Sequence, residues 1–332
     1  MRFINKPILA VVPFILALTV LAGCGQPYSF PFDAGSGRSQ FTLGSVSVTG
    51  RADPFSDGLS VVTGDVNGRA IEEMRDDQSA GIFSLSGEET LYAYNVHEKA
   101  SPASLTKIMT ALVALENMSA DTMLTASEDI IVEESGAVSL GIDKGDRMTL
   151  DQALHFLLME SDNDVAILVA ENVAGSVETF TGLMNQESMK LGATNCTFLN
   201  PNGLTEKGHE VTAYDLYLIM RKAVEYSTFV DIIGCASYST QYTKGDGSTV
   251  EKEIISTNGY ITGEYSAPDS VTVLGGKTGT TAAAGHCLML YVKDSKGTPY
   301  AVIVMHAGYK EELYAQMDKV LALLEPGDEA AG

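Results

Sequence analysis

Strand patterns stand at both ends of the regular part of this sequence, and helical patterns fill the stretch between them. The segment "GIFSLSGEETLYAYN" predicts two strands joined by a turn at Ser86-Gly87, and "HCLMLYVKDSKGTPYAVIVMHA" predicts a hairpin that turns at Asp294–Gly297. Apolar residues at helical spacing predict helices over residues 104–117, 149–160, 163–174, 176–191, 212–226 and 309–325. Strands from both ends of one domain must pair across the chain, so we expect one antiparallel sheet flanked by helices, an α+β fold.

The N-terminal residues have the pattern of an export signal. Arg2 and Lys6 precede the apolar stretch "ILAVVPFILALTVLAG", which is short for a membrane span and is followed by Cys24. The segment Leu21-Ala22-Gly23-Cys24 resembles the lipobox of bacterial lipoproteins, and this resemblance implies cleavage before Cys24 and a lipid on its thiol. The alternative is an uncleaved anchor helix, and both interpretations put the rest of the chain outside the cytoplasm.

The composition changes after Cys24. Residues 26–78 are rich in Gly, Ser and Asp, which is typical of a surface tether. The sequence therefore predicts a signal peptide over 1–23, a lipidated tether over 24–78, a globular domain over 79–326 and an acidic tail over 327–332. A lipid on Cys24 would anchor this domain to the outer face of the cytoplasmic membrane.

Charge, cysteines and histidines exclude several kinds of site. The formal net charge is −22, and no cluster of Lys or Arg suits a nucleic acid as partner. Apart from Cys24 the chain has Cys196, Cys235 and Cys287, an odd number that indicates no complete disulfide framework. The five histidines lack metal-ligand spacing, so we expect neither a metal nor a cofactor. No G-x-S-x-G motif is present, which disfavours a Ser-His-Asp hydrolase.

The stretch "SPASLTKIMTALVALE", residues 101–116, contains the clearest indication of chemistry. Lys107 lies among apolar residues near the start of a helix, and Ser104 precedes it by three positions. Residues at i and i+3 share one face of a helix, so the two side chains can reach hydrogen-bond distance. Burial disfavours the charged form of lysine, and a neutral amine can take the proton of a serine nucleophile. The alternative is a surface lysine whose stem packs on the core.

Two further polar stretches interrupt apolar patterns. Ser161-Asp162-Asn163 stands between two helical patterns, and taken alone it fits a helix break with Ser161 or Asp162 as the N-cap. Lys277-Thr278-Gly279-Thr280 follows an apolar strand directly. Small residues there would let a ligand backbone lie along the strand, with the lysine and hydroxyls facing a carboxylate. The alternative for this stretch is an ordinary glycine-rich strand end.

The order of the three motifs is more specific than any one of them. Ser-x-x-Lys, Ser-Asp-Asn and Lys-Thr-Gly follow one another as in penicillin-binding proteins and class A β-lactamases. Together with "FLNPNGLTEKGHEVTAYDLYLI", they make residues 79–310 resemble the D-alanyl-D-alanine carboxypeptidases of peptidase family S11. The resemblance implies a serine β-lactamase-like fold, with 79–326 as the catalytic domain. It also implies a peptidoglycan stem peptide as substrate and β-lactam antibiotics as inhibitors.

The resemblance assigns catalytic roles residue by residue. Ser104 would be the nucleophile that attacks the carbonyl between two D-alanines, and Lys107 would be its general base. Ser161 would pass a proton toward the leaving amine. Backbone N–H groups of Ser104 and Thr280 would form the oxyanion hole, where one donor is typically worth on the order of 10²–10³ in rate.

Substrate-binding roles follow from the same resemblance. Asn163 would hold the substrate peptide, and Lys277 would lower the pKa of Lys107 as well as bind the terminal carboxylate. The carboxylate site would also include Thr278, Gly279 and Thr280. The turn at Asn200-Pro201-Asn202-Gly203 and the pair formed by Thr212 and Asp215 are interpreted as structural, the pair as a helix N-cap.

Two other functions are open on the sequence alone. A β-lactamase of class A needs a glutamate for deacylation, and "NCTFLNPNGL", where that glutamate would fall, contains none. A lipoprotein that binds penicillin or peptidoglycan without turnover would not need all of the motif residues that this chain retains. A D-alanyl-D-alanine carboxypeptidase is therefore the favoured interpretation.

Overall fold

The computed structural model of the chain describes residues 58–67, 71, 74–134 and 136–325. The predicted signal peptide, the lipid site at Cys24 and the acidic tail lie outside the described residues. The described strands are β1 (Ser79–Ser84), β2 (Thr90–Tyr94), β3 (Met123–Thr125), β4 (Arg147–Thr149), β5 (Ser237–Thr243), β6 (Thr249–Ile255), β7 (Thr272–Thr281), β8 (Gly285–Lys293) and β9 (Pro299–Ala307). The described helices are α1 (Thr106–Asn117), α2 (Leu150–His155), α3 (Asn163–Ala174), α4 (Val177–Lys190), α5 (Ala213–Ala223), α6 (Ser227–Ile233), α7 (Gly259–Thr262) and α8 (Lys310–Ala322). In this part of the chain, none of the helices combines the length and the apolar character needed to span a bilayer.

The main sheet is built from both ends of the domain, as the strand patterns predicted. Its five strands pair antiparallel in the order β2–β1–β9–β8–β7, so that β1 near the start lies beside β9 near the end. Side chains alternate across the sheet. Ala301 and Ile303 of β9 face the core that includes α1, whereas Val302 and Val304 face the core that includes α8. The sheet thus lies between helical layers, and the predicted α+β fold is confirmed.

Helix α1 runs through the interior of the domain. Its residues from Thr106 to Ala114 are all buried, and it contacts α3, α4 and α5. A helix that is buried on all sides needs an apolar surface all round, which the sequence of α1 supplies except at a few positions. Lys107, the second residue of this helix, is the buried residue of α1 that has an ionisable side chain.

A second sheet was not predicted. Strands β3, β4, β5 and β6 form it in that order, which corrects the expectation of one sheet. Two of its strands, β3 and β4, have only three residues each. The other two are largely exposed and consist mainly of polar residues, so their apolar pattern is weak.

Two predicted helix starts are confirmed by their capping contacts. Thr149 and Gln152 form a capping box at α2, and the Thr212 hydroxyl accepts a hydrogen bond from the Asp215 N–H at α5. The predicted helix over 149–160 departs from the α form at its end. Residues Phe156–Glu160 form a π-helical turn that stops at Ser161, whose φ is 74°. Such turns recur at functional sites, and this one ends inside the cleft described below.

Part of the segment predicted as a tether packs on the domain. Leu59 and Val62 are buried in the core that includes α1. The Ser60 hydroxyl donates to the backbone oxygen of Glu89 over 2.8 Å, and the Ser60 N–H donates to the Tyr217 hydroxyl over 2.9 Å. The packed part of the chain therefore begins before the predicted boundary at residue 79.

Candidate active site

Ser104 lies on a short, strained turn at the edge of a cleft. The turn is a 3₁₀ segment (Ala103–Leu105) that leads into α1, and Ala103 has a φ of 46°, in the left-handed region. Backbone strain of this kind is typical of functional sites, where the surrounding structure holds it. The cleft has a volume of about 650 Å³ and is lined by Ser104, by β7, by the end of the π-helical turn and by the loop around Val138.

Lys107 is buried beside Ser104, which excludes the interpretation as a surface lysine. Its side chain is fully buried. Its Nζ lies 3.0 Å from Ser104 Oγ, 2.8 Å from Asn163 Oδ1 and 2.6 Å from the Asn202 carbonyl oxygen. None of these acceptors carries a formal charge. Burial lowers the pKa of Lys107 well below its ordinary value, and the nearby Lys277 lowers it further.

The three partners of Lys107 decide what a neutral amine can do here. A neutral lysine has two N–H bonds and one lone pair. The carbonyl oxygens of Asn163 and Asn202 can only accept, so they take the two N–H bonds. The lone pair is then left for the third partner, the Ser104 hydroxyl. This arrangement can remove the hydroxyl proton as Ser104 attacks a carbonyl.

Asn163 is the first residue of α3 and Ser161 lies two residues before it, and both line the cleft. The Ser161 Oγ is buried and has no hydrogen-bond partner among the described residues. The amide of Asn163 is fixed at both ends, because its Oδ1 accepts from Lys107 and its Nδ2 donates to the Val138 oxygen over 2.9 Å. Asn163 of the motif thus contacts the lysine, whereas Ser161 lines the same cleft without a hydrogen bond among the described residues.

The Lys-Thr-Gly motif was predicted to follow the end of a strand directly. In the structure it lies inside a strand. Strand β7 runs through Lys277, Thr278, Gly279 and Thr280 and ends at Thr281, and it is an edge strand of the main sheet. The pairing of β7 with β8 continues through the motif. The glycines of the motif weaken the strand pattern in the sequence, so this part of β7 was not predicted. An edge strand leaves backbone groups free to bind an extended peptide.

Lys277 is a second buried lysine at this site. It is 1% exposed, and its Nζ donates to the Thr278 oxygen over 2.9 Å. Burial lowers the pKa of Lys277 to about 7, and the carboxyl of Asp162 opposes that shift. Both the charged and the neutral forms are therefore populated near neutral pH. The hydroxyl of Thr278 contacts that of Thr257 at 2.6 Å, and the hydroxyl of Thr280 lies 3.2 Å from His286 Nδ1.

Gly279 brings β7 against the turn that carries Ser104. A Cβ at this position would lie 3.0 Å from the Ser104 nitrogen, 3.1 Å from the Leu105 nitrogen and 3.1 Å from the Pro102 oxygen. Only glycine allows the strand to approach the turn this closely without a shift. The close approach holds the backbone of Ser104 next to that of Gly279, the residue before Thr280.

The turn at residues 200–203, which the sequence indicated only as structural, contributes directly to the site. The Asn202 oxygen accepts from Lys107, and the Pro201 oxygen accepts from the Thr110 hydroxyl of α1 over 2.6 Å. Gly203, with a φ of 84°, lies against the Ala103 carbonyl. A turn signal in a sequence does not show which way its carbonyls point, so this contribution was missed.

Asp164 was also missed, and it holds the loop over the cleft. Its carboxylate accepts hydrogen bonds from the Ser139 hydroxyl and from the N–H groups of Leu140, Gly141 and Ile142, over 2.7 to 3.1 Å. The neighbouring Asn163 N–H donates to Val138 over 3.0 Å. The start of α3 thereby fixes both Asn163 and the loop that closes one side of the cleft.

Of the histidines, His286 lines the cleft and His209 contacts Thr106 at the start of α1. His209 is buried, its Nδ1 accepts from the Leu199 N–H, and its Nε2 lies 2.9 Å from the Thr106 hydroxyl. Burial lowers the pKa of His209 to about 4, so it is neutral at pH 7. The free cysteines are Cys196, Cys235 and Cys287. Within the described residues, no cluster of His, Cys, Asp or Glu could hold a metal ion.

A glycine substitution tests how the turn at residue 203 supports the site. Gly203→Ala should lower the free energy of unfolding by about 2 kcal/mol more than Gly247→Ala. Both glycines have a positive φ, so both changes carry the same backbone strain. Only at Gly203 would the new methyl overlap the Ala103 oxygen, since nothing lies within 4 Å of a Cβ at Gly247. Urea unfolding measures the difference, and equal losses would contradict the packing argument.

Comparisons with known proteins agree with this geometry. Residues 72–308 match the peptidase family S11, described as D-alanyl-D-alanine carboxypeptidase. The chain is 31% identical over 259 residues to the D-alanyl-D-alanine carboxypeptidase DacF of Bacillus subtilis, covering 76% of this chain and 63% of that protein. It is 32% identical over 217 residues to DacC of Escherichia coli, covering 63% of this chain and 51% of that protein. The chain thus spans between half and two thirds of the length of these two relatives.

A solved structure extends the comparison to three dimensions. The crystal structure of a DD-transpeptidase from Streptomyces superposes with a TM-score of 0.65 at 25% identity. The match covers 74% of this chain and 95% of the Streptomyces protein. The predicted penicillin-binding-protein-like fold is therefore confirmed.

Proposed function

The chain belongs to peptidase family S11, the D-alanyl-D-alanine carboxypeptidases, and we propose that it removes the terminal D-alanine of peptidoglycan stem peptides. Ser104 forms the acyl-enzyme in this proposal. One observation carries it: the buried Lys107 gives its N–H bonds to two carbonyl oxygens, which leaves its lone pair for the Ser104 hydroxyl. Burying an amine without a counter-charge costs free energy, so Lys107 does not serve stability at this position. A role as the base for Ser104 accounts for it.

Acylation begins with attack of Ser104 Oγ on the carbonyl between the two D-alanines. The hydroxyl proton moves to Lys107 Nζ as the new C–O bond forms. Backbone N–H groups of Ser104 and Thr280 stabilise the developing oxyanion, which is consistent with the close approach at Gly279. Ser161 passes a proton to the leaving amine as the C–N bond breaks. Its Oγ lines the cleft and has no competing hydrogen bond among the described residues.

The substrate lies along the edge of β7 in this proposal. Asn163 holds the peptide, and its amide orientation is already fixed by Lys107 and Val138. Lys277 and the hydroxyls of Thr278 and Thr280 bind the terminal carboxylate. A carboxylate next to Lys277 favours the charged form of that lysine. Water then releases the acyl-enzyme, and the shortened stem peptide leaves.

The test is the intact mass of the full chain after incubation with penicillin. A β-lactam resembles the D-alanyl-D-alanine end, so we expect a stable adduct of one penicillin per chain that maps to Ser104. Release of D-alanine from a synthetic stem pentapeptide should follow in a second assay. Destruction of the drug without an adduct would indicate a β-lactamase, and an unmodified protein with intact drug would contradict acyl transfer.

We further propose that the protein is exported and anchored by a lipid on Cys24, at the outer face of the cytoplasmic membrane. The support is the segment Leu21-Ala22-Gly23-Cys24 after an apolar signal-like stretch. The same mass spectrum tests this proposal when the protein is extracted from its own membranes. A chain that begins at Cys24 and carries a diacylglyceryl mass is the expected result, and an unmodified N-terminus would refute the anchor.

A further inference from the structure

His286 lines the cleft, but the mechanism above gives it no task. It lies directly opposite Thr280 in the pairing of β8 with β7, and its ring Nδ1 is 3.2 Å from the Thr280 hydroxyl. On its other side, the pairing of β8 with β9 shifts register between His286 and Leu288. Such irregularities are common beside active sites, where they redirect a side chain. Among the described residues, Thr280 is the hydrogen-bond partner of this ring.

A carboxylate bound along β7 needs hydrogen-bond donors, since its oxygens can only accept. The lysine among the described residues that line the cleft is Lys310. Its ammonium already contacts both carboxylate oxygens of Glu264 over 2.7 Å, so its charge is balanced within the protein. The hydroxyls of Thr278 and Thr280, which also line the cleft, are therefore important donors for a bound carboxylate.

The Thr278 hydroxyl is already engaged by a neighbouring residue. Its oxygen lies 2.6 Å from Thr257 Oγ1, and Thr257 Oγ1 lies 3.1 Å from the Met159 backbone oxygen. The Met159 oxygen can only accept. When both contacts are hydrogen bonds, Thr257 therefore donates to Met159, and Thr278 donates to Thr257. In that arrangement the proton of Thr278 points to Thr257, and the Thr280 hydroxyl is the better placed donor for an anion in the cleft.

The hydrogen on His286 Nδ1 decides whether Thr280 can make that donation. With a hydrogen on Nδ1, the ring donates to Thr280 Oγ1 and leaves the hydroxyl proton free for a carboxylate oxygen. Without a hydrogen on Nδ1, the ring nitrogen accepts the hydroxyl proton and turns it away from the carboxylate. A bound carboxylate favours the first arrangement because it can only accept. A hydrogen on Nδ1 and an anionic substrate end therefore stabilise each other.

We propose, on the basis of the function proposed above, that His286 is a positioning residue that directs the Thr280 hydroxyl toward the terminal carboxylate of the substrate. The ring thereby favours substrates whose carboxyl end is free and charged. No bond to hydrogen breaks: Nδ1–H donates to Thr280 Oγ1, and the Thr280 O–H donates to the carboxylate. The oxyanion uses the backbone N–H of Thr280 instead, and the pairing of β7 with β8 sets the position of that group. The effect of the ring therefore belongs to substrate binding.

The experiment is a double-mutant cycle on the full chain, with His286→Phe, Thr280→Val and both changes together. Phenylalanine keeps a planar ring without a donor, and valine keeps the shape of threonine without the hydroxyl. The readout is the second-order rate constant of acylation by penicillin, which carries a carboxylate. His286→Phe should lower it about tenfold, because a hydrogen bond to a charged group is weakened. In the Thr280→Val background the same change should cost less than about twofold, since the ring acts through that hydroxyl. Equal losses in both backgrounds overturn the proposal.

The methyl ester of penicillin separates recognition of the carboxylate from damage to the cleft. The ester has no anionic end, so His286→Phe should change its acylation rate by less than about twofold. A loss as large as that with penicillin overturns the proposal, because the ring would then support the cleft in general. His286→Asn should restore most of the rate with penicillin, since its side-chain N–H can replace Nδ1–H. His97→Ala, which changes a histidine that contacts the Val62 oxygen away from the cleft, should leave both rates unchanged.

Steady-state kinetics with a synthetic stem pentapeptide distinguish binding from catalysis. In His286→Phe, KM should rise about tenfold while kcat stays within about twofold. A fall in kcat at unchanged KM would place the effect at the oxyanion and overturn the proposal. Should His286→Phe fail to fold, His286→Leu removes the donor with a smaller side chain and replaces it in every comparison. Acylation of Ser104 that does not depend on His286 overturns this inference alone, whereas absence of acylation in the unchanged chain overturns the proposed function on which it rests.

Discussion

Replacing Ser104 with alanine is expected to reduce both penicillin acylation and D-alanine release by about 10⁴-fold or more. The change removes the only atom proposed to bond covalently to the substrate. Its cost to stability should be small, because Ser104 lies at the cleft and its hydroxyl makes one hydrogen bond among the described residues, to Lys107. Lys107 keeps its bonds to Asn163 and Asn202. The melting temperature should therefore stay within about 2 °C of the unchanged chain.

The matched control is Ser101→Ala, the same chemical change three residues earlier. Ser101 lines a separate groove beside Lys99 and Gly208 rather than the cleft of Ser104. We expect that variant to acylate at the rate of the unchanged protein. An Ser104→Ala chain that still releases D-alanine would refute the acyl-enzyme mechanism. A large loss in the Ser101→Ala chain would show instead that the turn before α1 is sensitive to any change.

Only part of the site could be predicted from the sequence, and the reason is visible around Lys107. Its contact with Ser104 is local, because three residues of separation on one helix face bring the two together. The contacts with Asn163 and Asn202 join residues that are 56 and 95 positions apart. For the first, the resemblance to a known family indicated Asn163 only as a residue that holds the substrate peptide, not as a partner of Lys107. The second is a backbone carbonyl, and a sequence contains no signal for its direction.

The same distinction holds for the fold. The paired strands β1 and β9 and the central helix α1 were predicted because burial imposes a regular apolar period on them. The second sheet was missed because β5 and β6 are mostly exposed, so burial leaves little pattern in their residues. Strand β7 was cut short because its glycines, which permit contact with the Ser104 turn, also weaken the strand pattern. The positions that serve the site are thus the ones that depart from local preference.

Replacing Lys107 with methionine should separate what the lysine does for activity from what it costs in stability. Methionine keeps most of the length and the apolar stem but offers no base. Loss of a general base is typically worth 10²–10⁴ in rate, so we expect acylation by penicillin to fall by about 10³-fold or more. We also expect the protein to become more stable. Folding lowers the pKa of Lys107, so the folded chain gives up a proton that the unfolded chain holds at neutral pH, and this costs stability.

The pH dependence of that gain identifies its cause. Because folding lowers the pKa of Lys107, the folded chain loses stability as the pH falls from the unfolded pKa of about 10.5 toward the folded pKa. The melting temperature of Lys107→Met should therefore exceed that of the unchanged chain by a larger margin at pH 6 than at pH 9. Lys296→Met, which changes an exposed lysine in the turn between β8 and β9, should show no such trend. An equal difference at both pH values would mean that Lys107 folds with its proton retained, and the lone pair required by Ser104 would then not exist.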